Sequence, residues 1–327
     1  MMPKNQSTRI DDLLASVTPD MIADPPTFLK EAGVRVERIL LDLLRPDPVQ
    51  PRRVLPERIH MEFHHQRLTP SQALRELVQI AQVAARQRAR PFHNVLELLP
   101  NGESETEDDT VGAFSPEEIL LRDLVNLAVT IREDGQVNPL TVVDISQGVT
   151  RMYRIETGER RYWATWLLRD FVHASASDGM VPCIVIPEQK SSVFRQAREN
   201  TARAGLSAIA MARQAALLLL TVHGYEIPAY PVGNDYYRQA LTLDFKSRQE
   251  HTDTVLAAMG GIDRARFSQY KALLSLSDEA LELADRHSLD EFRLRPILRL
   301  DTEYHAEMVQ HIVDLNLTGR QVQQIVE

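Results

Sequence analysis

A single glycine between two apolar segments is the feature of this sequence that most constrains its fold. Residues 152–155 alternate in polarity like a short strand, and residues 160–168 are apolar enough for a buried helix. Gly158 lies between them and allows the backbone to approach a ligand closely. The start of the helix then offers unpaired N–H groups and the positive end of a dipole.

Two adjacent arginines follow this glycine. Arg160 and Arg161 carry guanidinium groups whose geometry suits phosphate oxygens. Together with the helix start, they predict an anion site for a nucleotide or a nucleic-acid backbone. The alternative is a surface turn in which the two arginines pair with Glu156 and Glu159.

The charge and the cysteine content exclude several classes of protein. The 327 residues carry a net charge of −9, which argues against nucleic-acid binding by bulk charge but allows a local basic surface. Cys183 is the only cysteine, so neither a disulfide within the chain nor a cysteine-based zinc site is expected. The same observation predicts a protein of the reducing cytoplasm. No segment has the roughly 20 apolar residues of a membrane span, and no signal peptide is expected.

The order of predicted elements divides the chain into three parts. A flexible tail is expected over residues 1–36 and a domain with a small mixed sheet over residues 37–190, with an insertion at about 56–116. Thr69-Pro70 and Ser115-Pro116 are typical helix starts, with an N-cap residue followed by proline. Residues 191–327 are predicted to be helical, with a strongly apolar helix at 208–222.

Residues 253–274 have the layout of a helix-turn-helix. Two glycines lie in the turn, and Asp263 is placed to cap the second helix. With Phe267 packed inward, the outward side chains would carry donors for phosphates and base edges. The predicted DNA-contacting residues are Arg264, Arg266, Ser268, Gln269 and Lys271.

Four segments, in this order, resemble the motifs of the ParB/KorB family of partition and plasmid-regulatory proteins. They are residues 48–52 (PVQPR), 131–140 (IREDGQVNPL), 158–164 (GERRYWA) and 199–206 (ENTARAGL). The resemblance covers roughly residues 37–327 apart from 56–116 and 225–249. It implies an α+β ParB/sulfiredoxin-like domain with a small mixed sheet, followed by an all-α helix-turn-helix domain.

The resemblance also implies a nucleotide-dependent DNA clamp. The N-terminal domain would bind CTP with Mg²⁺, and the second domain would select a palindromic site on double-stranded DNA as part of a homodimer. Glu199 and Asn200 would hold the metal or position an attacking water, a task for hard oxygen ligands. CTP would be bound by Gln50, Arg52, Gly158, Glu159, Arg160, Arg161 and Arg203. Slow hydrolysis of CTP to CDP, if it occurs, would reopen the clamp.

The sequence departs from the family pattern at several places. Thr157 stands where a small residue is usual, Trp163 replaces a second arginine, and Ala210 replaces an acidic residue. The insertion at about 56–116 has no counterpart, and the family's separate C-terminal dimerisation domain, which would normally follow the last helix, is not expected within residues 1–327. These departures concern hydrolysis and dimerisation more than nucleotide binding.

Two further functions are compatible with the same motifs. A transcriptional repressor or a nuclease could share the fold without gating by CTP. A sulfiredoxin-like phosphotransferase would need a reactive cysteine near the anion site, and Cys183 lies in an apolar, strand-like segment. The expected partners are DNA and a second copy of the chain, with a ParA-type ATPase docking on the N-terminal tail. The expected location is the cytoplasm, on the nucleoid or a plasmid, without membrane contact.

Overall fold

A five-stranded sheet and a set of helices organise the part of the chain that the structure describes. The computed structural model describes residues 36–99, 114–172, 178–187, 192–202, 206–245 and 249–327. The tail predicted over residues 1–36 lies outside these ranges except for Val36, and so does the acidic segment 101–109. Residues 37–327 form one unit.

The strands come from positions spread between residues 36 and 186. They are β1 (Val36–Leu40), β2 (Leu44–Pro46), β3 (Leu140–Asp144), β4 (Tyr153–Thr157) and β5 (Met180–Ile186). In space their order is β1-β5-β3-β4-β2. The pairs β2–β4 and β3–β5 are parallel, and β3–β4 is antiparallel, so the sheet is mixed as predicted.

The helices near the sheet precede or follow these strands. They are α1 (Glu57–His64), α2 (Pro70–Gln87), α3 (Pro116–Asp134) and α4 (Glu159–Leu167). Thr69 and Ser115 cap α2 and α3 through complete capping boxes, which confirms both predicted helix starts. Strand β4 ends two residues later than the predicted strand, because Thr157 still pairs with β3.

The remaining helices form the second half of the described chain. They are α5 (Val193–Ala202), α6 (Ala208–Val222), α7 (Asn234–Arg238), α8 (Gln249–Ala258), α9 (Arg264–Ala272), α10 (Asp278–Arg286), α11 (Glu291–Leu294), α12 (His305–Asp314) and α13 (Gly319–Val326). Helix α6 has the predicted bounds and is buried along most of its length. The predicted fold class, a mixed-sheet domain followed by a helical one, is confirmed. No helix in the described ranges is long and apolar enough to cross a membrane.

The segment predicted as an insertion contributes to the hydrophobic core. Leu74 and Leu77 of α2 are fully buried in the same apolar cluster as the sheet. Phe63 of α1 packs edge-on against Trp163 of α4, with ring centroids 5.0 Å apart. Helices α1 and α2 therefore belong to the hydrophobic core that also contains α4, and they are not a surface addition to it.

A buried network of charges joins residues 53–57 to the second half of the chain. The Arg53 guanidinium donates to the Val232 carbonyl at 2.8 Å and pairs with Glu57. The side chain of Arg213 is 1% exposed and lies 2.5 Å from Asp285 and 3.8 Å from Glu57. Burial and the nearby Arg213 charge lower the pKa of Arg53 to about 10.

Candidate functional site

The turn between β4 and α4 has the backbone that the sequence predicts for an anion site. Gly158 is the N-cap of α4 with φ of +99°, a region that favours glycine. A Cβ atom at this position would lie 2.4 Å from Leu140 Cδ2. As the N-cap, Gly158 has no side chain that could bond the first N–H groups of the helix. The Arg161 N–H already donates to the Gly158 carbonyl at 2.9 Å, so the N–H groups that precede it are the ones that can serve an oxyanion.

A cavity of about 560 Å³ opens at this helix end. This volume lies within the range of small-molecule sites. The cavity brings together seven of the predicted site residues, which come from three of the four motif segments. The predicted site residues that line it are Gln50, Arg52, Gly158, Glu159, Arg160, Arg161 and Asn200.

The two arginines of the turn have different partners. Arg160 Nη2 lies 3.1 Å from Asp123 Oδ2, and this pair is partly exposed to solvent. Arg161 Nη1 donates to the carbonyls of Asn138 and Pro139 at 2.7 and 2.8 Å. Arg161 therefore ties the loop before β3 to α4, whereas the sequence predicted contact with phosphate. Glu156, the other carboxylate of the turn, pairs with Arg195.

Glu159 is buried in the wall of the cavity. Its Oε1 accepts a hydrogen bond from Trp163 Nε1 at 3.0 Å. Burial raises the pKa of Glu159 to about 7, repulsion from Asp47 adds to the rise, and Trp163 and Arg52 oppose it. Trp163 thus satisfies one oxygen of the Glu159 carboxyl group.

Three buried polar atoms of residues that line the cavity have no hydrogen-bond partner within the described residues. They are Gln50 Oε1, Arg160 Nε and Asn200 Nδ2. Buried polar groups are usually paired, so these atoms fit a site that a polar ligand completes. Glu199 precedes Asn200 on α5 but is not among the described residues that line the cavity. Arg203 lies outside the described residues.

One wall of the cavity comes from a helix that the sequence analysis did not assign to the site. Asp123, Asn126, Leu127 and Thr130 of α3 line it. Their spacing of three and four residues places them on one face of the helix. The signal available in the sequence was a polar stripe at 123, 126 and 130 within an otherwise amphipathic helix.

Two kinds of chemistry considered from the sequence, metal binding and catalysis by a thiol, depend on residues that the structure describes. No group of three or more His, Cys, Asp or Glu side chains in the described ranges could hold a metal ion. A magnesium ion at the cavity would therefore depend on oxygens such as that of Asn200 and on those of a bound phosphate. Cys183 is buried in β5, and burial raises the pKa of its thiol to about 12, so it stays protonated.

A second structural feature is the helix-turn-helix formed by α8 and α9. Gly260 and Gly261 both have positive φ in the turn. Asp263 Oδ1 accepts from the Arg266 N–H at 2.7 Å and so caps α9 as predicted. Phe267 is buried, with 1% of its surface exposed, and orients the helix.

The predicted DNA-contacting side chains do not all face outward. Arg264, Arg266 and Ser268 are exposed and Gln269 is half-buried. The Arg264 guanidinium lies 5.8 Å from the Phe245 ring centroid, and that of Arg266 lies 5.9 Å from the Tyr270 ring centroid. Lys271 instead donates to the Leu243 carbonyl at 2.6 Å, which directs its charge toward the protein. The exposed basic face is therefore at the start of α9.

The cavity and the helix-turn-helix meet at the end of α5. Asn200 lines the cavity, and the next residue, Thr201, donates to the Ala258 carbonyl at 3.2 Å. A Cβ atom on Gly260 would lie 2.6 Å from Thr201 Cγ2. Successive residues of one helix thus touch the cavity and the turn between α8 and α9.

Comparisons with known proteins test the resemblance to the ParB/KorB family. Residues 240–327 match the family model of the ParB HTH domain. No curated protein matches the chain. Two similar solved structures are of the C-terminally truncated chromosome-partitioning protein ParB from Caulobacter crescentus, each with 17% sequence identity.

These two structures differ in what they contain. One is complexed to the centromeric parS site, covers 71% of this chain and 96% of that chain, and has a TM-score of 0.34. The other is complexed with CTP-gamma-S, covers 85% and 99%, and has a TM-score of 0.26. The comparison that agrees with the predicted resemblance is the family model: over residues 240–327 the chain is similar to the ParB HTH domain.

Proposed function

We propose that this chain is a ParB-like, DNA-binding partition protein whose DNA binding is controlled by CTP. The observation that carries the proposal is the cavity at the start of α4, in the same chain as a ParB HTH domain. In this proposal residues 37–190 bind the nucleotide and residues 191–327 bind DNA. The name of one similar structure, a ParB complexed with CTP-gamma-S, agrees with this choice of nucleotide.

The cavity offers what a triphosphate needs. The free N–H groups at the start of α4 and the Arg160 guanidinium would bind phosphate oxygens. Arg52 adds a second cation, and Gln50 Oε1 offers a buried acceptor to the nucleoside. Arg161 would act indirectly, because it fixes the loop that borders the turn.

Magnesium would bind with the phosphates near the end of α5. Asn200 lies at the cavity and Glu199 is its neighbour on the helix. The metal would supply positive charge to the phosphate oxygens, which suits a hard cation. The same two residues are our candidates for positioning an attacking water, and Arg203 remains a candidate for phosphate binding.

DNA would be bound by the exposed face of α9. Arg264, Arg266, Ser268 and Gln269 present donors for phosphates and base edges. A homodimer would place two such helices on a palindromic site, because the symmetry of the site mirrors that of the protein. In this proposal the closed dimer encircles DNA on the nucleoid or a plasmid, and residues 1–36 dock a ParA-type ATPase.

Arg160→Ala is expected to weaken CTP binding about tenfold, because a charge-assisted contact to phosphate is lost. Isothermal titration with CTP and Mg²⁺ measures the effect. Arg151→Ala is the matched control, since it removes the same charge from an exposed residue that does not line the cavity. Equal CTP affinity in the two variants would contradict the phosphate contact.

Arg266→Ala is expected to weaken specific DNA binding about tenfold and to leave CTP affinity unchanged. The reason is that Arg266 lies on the exposed start of α9, away from the cavity. Fluorescence anisotropy with DNA at several salt concentrations checks this. Arg299→Ala, which changes an exposed arginine of the same half, is the control. Binding equal to that of the parent protein at every salt concentration would contradict the assignment.

The same measurements separate the alternative functions. A repressor without gating would bind its DNA site with an affinity that CTP does not change. A nuclease would cleave DNA with a divalent metal and without nucleotide. Absence of CTP binding, both with and without cognate DNA, would contradict the proposed nucleotide binding. It would not affect the proposed binding of DNA by the helix-turn-helix.

A further inference from the structure

Asp123 places a negative charge in the wall of the candidate anion site. It lies on α3, and its Oδ2 is 3.1 Å from Arg160 Nη2. The residue borders the cavity of about 560 Å³ at the start of α4. Asp123 and Arg160 also both border a smaller cavity of about 230 Å³. The Asp123–Arg160 pair is thus common to the lining of the two cavities.

The carboxylate uses the group that an incoming phosphate would use. A guanidinium binds carboxylates and phosphates through the same fork of N–H donors. Arg160 Nε is buried and has no hydrogen-bond partner within the described residues, so the guanidinium is only partly satisfied. A phosphate that binds Arg160 must therefore displace Asp123 or share the guanidinium with it.

Exposure of the pair indicates that this exchange is feasible. The side chains of Arg160 and Asp123 are 38% and 48% exposed. Partly exposed ion pairs are weak, and both partners retain access to water. A ligand with several negative charges can thus compete for Arg160, whereas a buried pair would resist exchange.

We propose that Asp123 is an internal competitor for Arg160 that sets the affinity and the charge selectivity of this site. This inference rests on the proposed polyphosphate function of the cavity. Asp123 lowers the affinity for polyphosphate ligands, because each must displace the carboxylate from Arg160 or share the guanidinium with it. It has no such effect on an uncharged nucleoside. Its role is to keep the site selective for ligands that carry enough charge to displace it.

The test is a double-mutant cycle read by titration with CTP, with cytidine and inorganic tripolyphosphate as additional probes. Asp123→Asn is expected to raise affinity for CTP and tripolyphosphate about threefold. The affinity for cytidine should not change. In the Arg160→Ala background, Asp123→Asn should give no gain, because there is no guanidinium left to release.

Glu133→Gln is the matched control. It removes one acidic charge from the same helix, where Glu133 is 61% exposed and pairs with Arg132. A gain with this variant equal to that of Asp123→Asn would overturn the inference, as would a gain that persists without Arg160. Asp123→Ser provides a second variant without the carboxylate. An unfolding curve for each variant shows whether a change in affinity comes from a change in folding.

The outcomes distinguish this inference from the proposed function. If the parent protein binds CTP and Asp123→Asn does not change that affinity, only the competitor role fails. If tripolyphosphate binds and CTP does not, the anion site and the competitor role can still be tested and only the choice of nucleotide fails. If no variant binds either probe, both proposals are wrong.

Discussion

Arg213→Met is expected to lower the free energy of unfolding by about 3 kcal/mol. Arg213 is almost fully buried and faces Asp285 at 2.5 Å and Glu57 at 3.8 Å. Methionine retains much of the apolar volume but removes the cation that pairs with Asp285, whereas Glu57 keeps its pair with Arg53, so the loss is mainly electrostatic. Urea unfolding measures the change in the free energy of unfolding, provided that its dependence on urea concentration is the same in the variant and the parent protein.

Arg67→Met is the matched control for this substitution. Arg67 pairs with Glu62 at 2.8 Å, but its side chain is 66% exposed. Its loss should cost less than about 1 kcal/mol, because water and salt screen exposed pairs. Similar losses in the two variants would mean that the Arg213 network contributes no more than a surface pair.

Gly158→Ala is expected to cost about 2 to 3 kcal/mol and to weaken CTP binding. The backbone at Gly158 has φ of +99°, and a Cβ atom would lie 2.4 Å from Leu140 Cδ2. Left-handed backbone and overpacking each carry a cost for a residue with a side chain. The shift of the turn that relieves the contact would also move the N–H groups at the start of α4. Thermal unfolding and CTP titration check the two effects.

Gly148→Ala separates the backbone effect from the contact. Gly148 also has positive φ, of +61°, but a Cβ atom there would meet nothing within 4 Å. We expect a loss of about 1 kcal/mol from the backbone alone and no change in CTP affinity. If both alanine variants lose the same stability, the contact with Leu140 is not what requires glycine at 158.

The features that the sequence predicted correctly are those that local chemistry determines. Thr69, Ser115 and Asp263 cap helices through their own side chains, within three residues of the N–H groups they satisfy. Positive φ at Gly158 follows from a strand that must turn directly into a helix. Such signals do not depend on what lies elsewhere in the chain.

The features that the sequence could not provide depend on distant partners. Arg161 and Lys271 were predicted to face a ligand, but each donates to main-chain carbonyls more than 20 residues away. The sequence predicts segment 56–116 as an insertion, whereas Leu74 and Leu77 within it are buried in the core. Phe63 of this segment contacts Trp163, which is far away in the sequence. Such a contact produces no periodic pattern from which it could be predicted. The cavity face of α3 was missed because amphipathicity alone does not indicate what the polar side covers.

The location of the charges in this protein has a practical consequence at the bench. Arg53 and Arg213 are shielded from solvent, so counterions screen them poorly, whereas contacts between α9 and DNA phosphates would lie in water. Concentrated sodium chloride should therefore strip nucleic acid from the protein during purification without loosening its interior. A column wash at high ionic strength is then the appropriate step before any titration, because carried-over DNA would otherwise occupy the surface being measured.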